Sequence, residues 1–373
     1  MLFGLSEHQF LEKISEGNST PYTKENVFGS EISINALKRI DKIFNKGLDY
    51  YLDLNPPIAS KEASIFFRKE FGTELNLADR KLINKYEEIK NSLGALASLS
   101  NFHIKRVLKE YSIQDSPISV ANEVREQFQF KKKNSSAREF LKSLIYDLAN
   151  LNVYVFEEII YPSTKAENRP NIDGFFIKPN VIGIKNNYYP REIFTLIHEF
   201  AHYLIGEEEI ESVDEDLTQY TSKVNKIERW CNDFAFAFLI GEHSNILEKI
   251  EKVDSTNDYC DYDIQEISEK TYLSKIAIYT HLLYVHKMTK ADYTMVKKGI
   301  DDKNKEEKLR KEEQKKKDKE SGNDIKFFYP SKPILSPLHV ATIQSAFYEG
   351  VINDYEVCKK LDINPSQLEK YIG

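Results

Sequence analysis

The hydrophobic pattern of residues 1–115 repeats with the period of an α-helix. Two stripes of apolar residues show this spacing: Ile34, Leu37, Ile40, Ile43 and Phe44, then Leu82, Tyr86, Ile89 and Leu93. Side chains three or four residues apart lie on one face of a helix, so both stripes predict amphipathic helices. Pro56-Pro57 separates them, because the residue before a proline leaves the helical region. The pattern therefore predicts a helical N-terminal region.

The pattern changes period after an amphipathic helix that Ser135 or Ser136 caps. Short runs of β-branched and aromatic residues, bounded by turn residues, follow at 152–156, 172–177 and 181–185. Such runs are typical of strands. Helical spacing returns over residues 191–247, and short helices with tight turns follow after Asp263. A small, mostly antiparallel sheet followed by helices indicates an α+β fold that is mainly helical.

A highly charged run at residues 301–320 gives the clearest boundary. Seventeen of its twenty residues are charged, and Leu309 is its only apolar residue. Such a run is either a solvated helix with many ion pairs or a linker, and we interpret residues 301–323 as a charged linker. The sequence therefore predicts four parts: a helical N-terminal region at 1–115, a central α+β region at 116–300, this linker at 301–323 and a small helical unit at 324–373.

Composition and charge narrow the function classes. The chain has 52 basic and 59 acidic residues, a net charge of −7, so nucleic-acid binding through released counterions is not expected to dominate. Three scattered cysteines give no disulfide framework, which favours a reducing compartment. The N-terminal residues lack the pattern of a signal peptide, and no apolar run is long enough to span a bilayer. We therefore expect a soluble cytoplasmic protein with no membrane partner.

The motif that carries chemistry is His198-Glu199-Phe200-Ala201-His202, an H-E-x-x-H on a strongly helical segment. A helix turns about 100° per residue, so the two histidines share one face one turn apart and can bind a single Zn²⁺. Glu199 lies one position round the helix. It can act there as a general base without being a metal ligand.

A catalytic zinc needs a third protein ligand, and the next strongly helical segment, 227–241, offers Glu228. A carboxylate from a second packed helix would complete a His₂Glu site, and Asn232, one turn later, could hydrogen-bond a ligand. Taken alone, Glu228 is better explained as a solvated acid in a first helical turn, stabilised by the helix dipole. The zinc-binding motif upstream favours the ligand interpretation.

A family resemblance rests on the pattern N-x₄-R-E-x-F-T-x-x-H-E-x-x-H at residues 186–202, followed by E-x-x-C-N-x-F-A at 228–235. This arrangement resembles the ImmA/IrrE zinc metallopeptidases over about residues 117–300. The Pro56-Pro57 and Phe67-Arg68 elements resemble the connector that follows an XRE-type helix-turn-helix region in members. Residues 1–115 would then contain a degenerate XRE-like region. The chain departs from the family at Leu239-Ile240-Gly241, where members commonly have Leu-Met-Pro.

The resemblance implies a zincin-like sheet packed on the H-E-x-x-H helix, with His198, His202 and Glu228 as zinc ligands and Glu199 as general base. It also implies a metalloendopeptidase that cleaves a basic helix-turn-helix repressor at a limited site and so switches on mobile-element or stress-response genes. The alternative is a non-catalytic regulator or toxin–antitoxin-like partner that uses the peptidase fold as a scaffold. The intact motif argues against that alternative.

Four further features leave their interpretation open. The strand at 181–185 is either a pairing site for an extended substrate or an ordinary interior strand. Tyr188, Tyr189 and Tyr203 are the nearest candidates in sequence for an oxyanion donor. The acidic run at 207–216 is either a solvated loop or an attractor for a basic substrate. The helical hairpins at 264–287 and 324–373 resemble helix-turn-helix units, and we favour a packing role without DNA contact.

Overall fold

The computed structural model describes residues 6–44, 51–52, 76–129, 136–207, 210–212, 226–320 and 330–372. The chain forms two compact units, one comprising residues 1–85 and 165–171, the other residues 86–164 and 172–373. The domain limits predicted from the sequence stay predictions. The Pro56-Pro57 and Phe67-Arg68 elements lie outside the described residues. No helix in the described ranges is both long and apolar enough to cross a membrane.

The described residues of the first unit include the short helices α1 Glu7–Ser15, α2 Lys24–Phe28 and α3 Ile34–Phe44. Its core consists of apolar residues from all three helices: Phe10, Ile14, Val27, Leu37, Ile40 and Ile43. Arg39 on α3 donates hydrogen bonds to the carbonyls of Ile14 and Glu16, which end α1. A guanidinium at a helix C-terminus satisfies carbonyls that have no partner within the helix.

The next helix, α4 Leu77–Leu99, begins in the first unit and continues in the second after Lys85. The second unit then contains α5 Pro117–Arg125 and α6 Ala137–Asn150, and the cap of α6 is Ser136, in a capping box with Glu139. The remaining elements follow in chain order: β1 Tyr154–Glu158, β2 Ile172–Ile177, β3 Val181–Lys185, α7 Tyr189–Ile205, β4 Ile210–Ser212, α8 Lys226–Ile240, α9 Ser244–Lys249, α10 Asp261–Thr271, α11 Lys275–Tyr284, α12 Lys290–Glu320, α13 Pro337–Tyr348, α14 Asp354–Leu361 and α15 Glu369–Ile372.

The four strands form one sheet in the order β1-β3-β2-β4. The β1–β3 pair is parallel, whereas β2 is antiparallel to β3 and to β4, so the sheet is mostly antiparallel as predicted. The strand β4 was not predicted, because its sequence, Ile-Glu-Ser, has one apolar residue within an acidic run. The small sheet and the many helices confirm the α+β class.

The sheet packs between two helices. One face contacts α4, where Tyr86 lies against the rings of Phe156 and Phe175. The other face packs on α7, where Phe176 contacts Tyr203 edge to face. Every residue of β2 is buried, since helices cover both faces. The predicted packing of the sheet on the H-E-x-x-H helix is therefore confirmed.

The C-terminal helices cover the β1 edge of the sheet. The hydroxyls of Tyr154 on β1 and Thr342 on α13 are 2.7 Å apart, and Phe156 contacts the His339 ring edge to face. The backbone N–H of Ile334 donates to the buried Glu157 carboxylate on β1. A covered edge cannot pair with a strand of another chain, so this arrangement protects the sheet.

The charged run at residues 301–320 is helical, and its role as a linker between domains stays a prediction. It continues α12 from Lys290 to Glu320, and every described side chain between 301 and 317 is exposed. The run contains no proline or glycine and is rich in Lys and Glu, which have high helix propensity. The solvated-helix alternative therefore holds over residues 301–320, while residues 321–323 lie outside the described ranges.

The predicted helical hairpin at 264–287 is confirmed as α10 and α11, joined by a turn in which Tyr272 has φ 59°. No residue of α11 is exposed, and Ile278, Tyr279 and Leu282 are fully buried. A recognition helix must present its side chains to a DNA groove. The second helix of this hairpin instead packs into the core. His281 on that helix stacks its ring on Phe236.

Candidate metal centre

The two motif histidines lie on one face of α7 and are fully buried. Their Nε2 atoms are 3.2 Å apart and their ring centroids 5.0 Å apart. The helix positions them because the i,i+4 spacing places both rings one turn apart, while Ile197, Phe200 and Ala201 fill the core on its other side. Both imidazoles therefore direct a nitrogen toward the same point.

The third member of the cluster is Glu228, in the first turn of α8. Its Oε2 lies 3.2 Å from Nε2 of His198, and its Oε1 lies 3.5 Å from Nε2 of His202. Packing of α8 on α7, through Phe234 against Phe200, delivers the carboxylate from a helix 30 residues further along the chain. The structure thus brings together the three residues that the sequence singled out.

The residues fit a zinc ion. Tetrahedral ligands about 2.0–2.1 Å from a zinc ion are about 3.3 Å from one another. The two Nε2 atoms are 3.2 Å apart, and the Glu228 oxygens lie 3.2 and 3.5 Å from them. The donors are thus two imidazole nitrogens and a carboxylate. Three protein donors leave a fourth position open, which distinguishes catalytic from structural zinc sites. The Glu228 side chain, 14% exposed, gives the cluster its access to solvent.

Asn232 orients the first histidine. Its Oδ1 lies 3.0 Å from Nδ1 of His198, and an amide oxygen only accepts, so Nδ1 carries the proton. The lone pair then lies on Nε2, the nitrogen that faces His202 and Glu228. Burial lowers the pKa of His202, which favours its neutral form. Both rings are therefore suited to bind a cation.

Glu199 is fully buried beside the cluster but is not one of the three convergent donors. It lies against the middle of β2. A Cβ atom built on Gly174 would be 2.9 Å from both Cγ and Oε1 of Glu199. The carboxylate therefore occupies space that any other residue at position 174 would fill. Sequence analysis missed Gly174, because no local pattern reports the distance between a strand and a helix.

Arginine side chains close the C-termini of both ligand-bearing helices. Arg106 donates to the carbonyls of Tyr203 and Leu204 at 2.8 and 2.9 Å, at the end of α7. Arg125 donates to the carbonyl of Phe238, near the end of α8. Guanidinium groups here add charged donors to carbonyls in the last turns of the helices and oppose the negative end of the helix dipole. These residues hold the helices, and sequence analysis did not single them out.

Gly241 explains where the chain departs from the Leu-Met-Pro element. Its φ is +48°, and a Cβ atom there would lie 2.5 Å from Cζ of Arg125. A proline at this position is excluded because its ring fixes φ near −65°. The end of α8 is thus built around the Arg125 guanidinium.

The three tyrosines near the motif are not at the cluster. Tyr188 and Tyr189 precede His198 by ten and nine residues, which is about 14–15 Å along a helix. Tyr203 is fully buried, stacked on Phe200 and contacted by Arg106 at 4.1 Å from the ring centroid. None of them is among the donor groups that converge at the cluster.

The strand at 181–185 is an interior strand, β3, paired with β1 on one side and β2 on the other. Both edges are occupied, so it has no free backbone groups for a substrate. The side chains of the acidic run lie outside the described residues except for Glu207, and its attraction of a substrate stays a hypothesis.

Comparison with known families agrees with this geometry. Residues 151–278 match the family model for the IrrE N-terminal-like domain, Peptidase_M78. This segment, about a third of the chain, carries His198, Glu199, His202 and Glu228, and it is similar to that metallopeptidase family. The match is narrower than the 117–300 expected from the sequence. Searches of curated proteins and of solved structures found no match to the chain.

Proposed function

We propose that this protein is a zinc-dependent endopeptidase that carries out limited regulatory proteolysis. The observation that carries the proposal is the convergence of His198, His202 and Glu228, with nitrogen–oxygen separations of 3.2 and 3.5 Å, beside a buried Glu199. A peptidase-family domain over residues 151–278 supports a peptidase rather than another use of zinc.

His198, His202 and Glu228 would hold the zinc ion. A zinc ion so held would supply Lewis-acid chemistry, lowering the pKa of a water and polarising the scissile carbonyl. Asn232 keeps His198 in the binding tautomer through its hydrogen bond to Nδ1. Burial lowers the pKa of His202 and so favours its neutral, metal-binding form.

Glu199 would move the proton. As the water oxygen forms a bond to the carbonyl carbon, the Glu199 carboxylate accepts the water proton. It then returns this proton to the amine nitrogen as the carbon–nitrogen bond breaks. Glu199 is suited to this work because it is adjacent to His198 in the chain but points away from the ligand line, toward β2.

The proposed substrate is a basic helix-turn-helix repressor in the cytoplasm. The net charge of −7 supports a basic protein partner rather than nucleic acid itself. The resemblance to ImmA/IrrE peptidases supports a repressor as the target. Cys231, Cys260 and Cys358, all within the described residues, form no disulfide, which is consistent with a reducing compartment.

The test combines metal analysis with cleavage. We expect the purified protein to hold one zinc ion per chain and to cut a repressor-like protein encoded next to it. A chelator should abolish cleavage and returned zinc should restore it. Cleavage that persists without metal would overturn the zinc mechanism. Absence of both zinc and cleavage would favour the alternative, a non-catalytic scaffold.

A further inference from the structure

Gly174 lies at the centre of β2, on the face that packs against α7. A Cβ atom built at this position would lie 2.5 Å from Cγ2 of Thr195 and 2.9 Å from Cγ and Oε1 of Glu199. Real Cβ atoms do not approach other heavy atoms so closely. Thr195 and Glu199 are one turn apart, so the strand backbone at Gly174 rests directly on the catalytic face of the helix.

The strand cannot retreat to admit a larger residue. Gly174 pairs with Ile184 on β3, and helices cover both faces of the sheet. The adjacent Asp173 is buried and binds Arg191 on α7 at 2.5 Å and Lys185 on β3 at 3.2 Å. These ion pairs fix the separation of strand and helix, so a methyl group at 174 must displace the Thr195 or Glu199 side chain.

A second glycine in the sheet provides a natural contrast. Gly183 on β3 faces the opposite side, where a Cβ atom would overlap the ring of Phe175 rather than any residue of α7. The two glycines therefore share a strand environment and a lack of space, but only Gly174 adjoins Glu199.

We propose that Gly174 is a positioning residue for Glu199: its bare backbone is the wall that holds the carboxylate beside the metal ligands. The proposal rests on the proposed function, because it assigns Glu199 the proton transfer. Small displacements of a catalytic group cost large factors in rate. We therefore expect Gly174→Ala to retain zinc, because the clash does not touch His198, His202 or Glu228, and to lose about 10- to 100-fold in cleavage rate.

A double-mutant cycle tests the placement without relying on activity. Gly174→Ala and Glu199→Ala are made singly and together, and thermal unfolding is measured on the full chain. We expect Gly174→Ala to lower Tm by several degrees in the wild-type background and by at least about 3 °C less in the Glu199→Ala background. The same cycle with Gly183→Ala should be additive. An additive cycle for Gly174 would overturn the proposal.

Cleavage and zinc content complete the test. If Gly174→Ala does not fold, Gly174→Ala/Thr195→Ala removes the closest clash and keeps the contact with Glu199, with Thr195→Ala as its control. A variant that holds zinc but cleaves a co-expressed repressor-like protein at least tenfold more slowly supports the proposal. Cleavage at the wild-type rate by a folded Gly174→Ala variant overturns it. Failure of the wild type to cleave, with a coupled cycle, would instead count against the proposed function.

Discussion

The Oδ1 atom of Asn232 lies 3.0 Å from Nδ1 of His198, on the side of the ring opposite the nitrogen that faces Glu228. This contact fixes the tautomer and the rotation of one imidazole of the proposed zinc site. Loss of such a partner typically costs 10- to 100-fold in metal affinity.

Asn232→Ala should therefore weaken zinc binding by about 10- to 100-fold without unfolding the chain. Competition with a chromogenic chelator measures the affinity. Asn232→Asp keeps an acceptor at the same position and should bind zinc at least as tightly as the wild type. Equal affinities in wild type and Asn232→Ala would show that the contact does not orient His198.

Glu228→Gln should lower zinc affinity by more than about 100-fold, because it removes the charged donor of the cluster. The effect should be larger than the loss of Asn232, which only hydrogen-bonds a ligand. Zinc stoichiometry after gel filtration reports the change. Glu242→Gln is the matched control, since Glu242 is 83% exposed shortly beyond α8. Retention of one tightly bound zinc by Glu228→Gln would remove Glu228 from the ligand set.

Arg106→Ala should destabilise the second unit by about 2 kcal/mol, because it leaves the carbonyls of Tyr203 and Leu204 without a charged donor at the end of α7. Urea unfolding measures the loss. Lys105→Ala, which changes an exposed neighbour, should have little effect. If both substitutions were equally mild, Arg106 would not stabilise the helix end.

The buried Glu192 predicts a pH dependence of stability. Burial raises its carboxyl pKa from 4.5 to about 7, Glu157 acts in the same sense, and a hydrogen bond from Asn187 and the Arg138 charge oppose the shift. Its folded pKa exceeds its unfolded one, so its contribution to stability is fully present below pH 4.5 and is lost as pH rises toward and past 7.

Glu192→Gln, which resembles the protonated acid, should flatten this dependence by an amount on the order of 2 kcal/mol between pH 5 and pH 8. Urea midpoints at the two pH values measure it. The exposed Glu251→Gln is the control and should follow the wild type. If the urea midpoint of the wild type fell no more between pH 5 and pH 8 than that of Glu192→Gln, the raised pKa of Glu192 would be contradicted.

The sequence predicted the residues of the candidate metal site more completely than the residues that support them. The sequence alone could predict His198, Glu199 and His202, because helical periodicity is enough to place both histidines on one face. Glu228 depends on the packing of a second helix, and it was identified from the apolar stripe of that helix and the family resemblance. Asn232 followed from its spacing to Glu228.

The residues that support the site depend on tertiary distances. The role of Gly174 depends on how closely β2 packs on α7, and the role of Arg106 depends on its contact with the end of α7. Neither distance can be read from the sequence. The helix at 301–320 was interpreted as a linker because it has no apolar stripe, although its residues favour a helix. The strand β4 was missed for the same reason, since a single apolar residue does not give an alternating pattern.

The most direct test of the central claim is cleavage by Glu199→Gln. Both the wild type and the variant are loaded with zinc, their metal content is measured, and each is incubated with the same purified repressor-like protein. The account predicts equal zinc, an intact fold and cleavage by the wild type alone, with a loss of at least about 100-fold in the variant. A zinc-loaded Glu199→Gln protein that cleaves at the wild-type rate would contradict the assignment of Glu199 as the proton-transferring base.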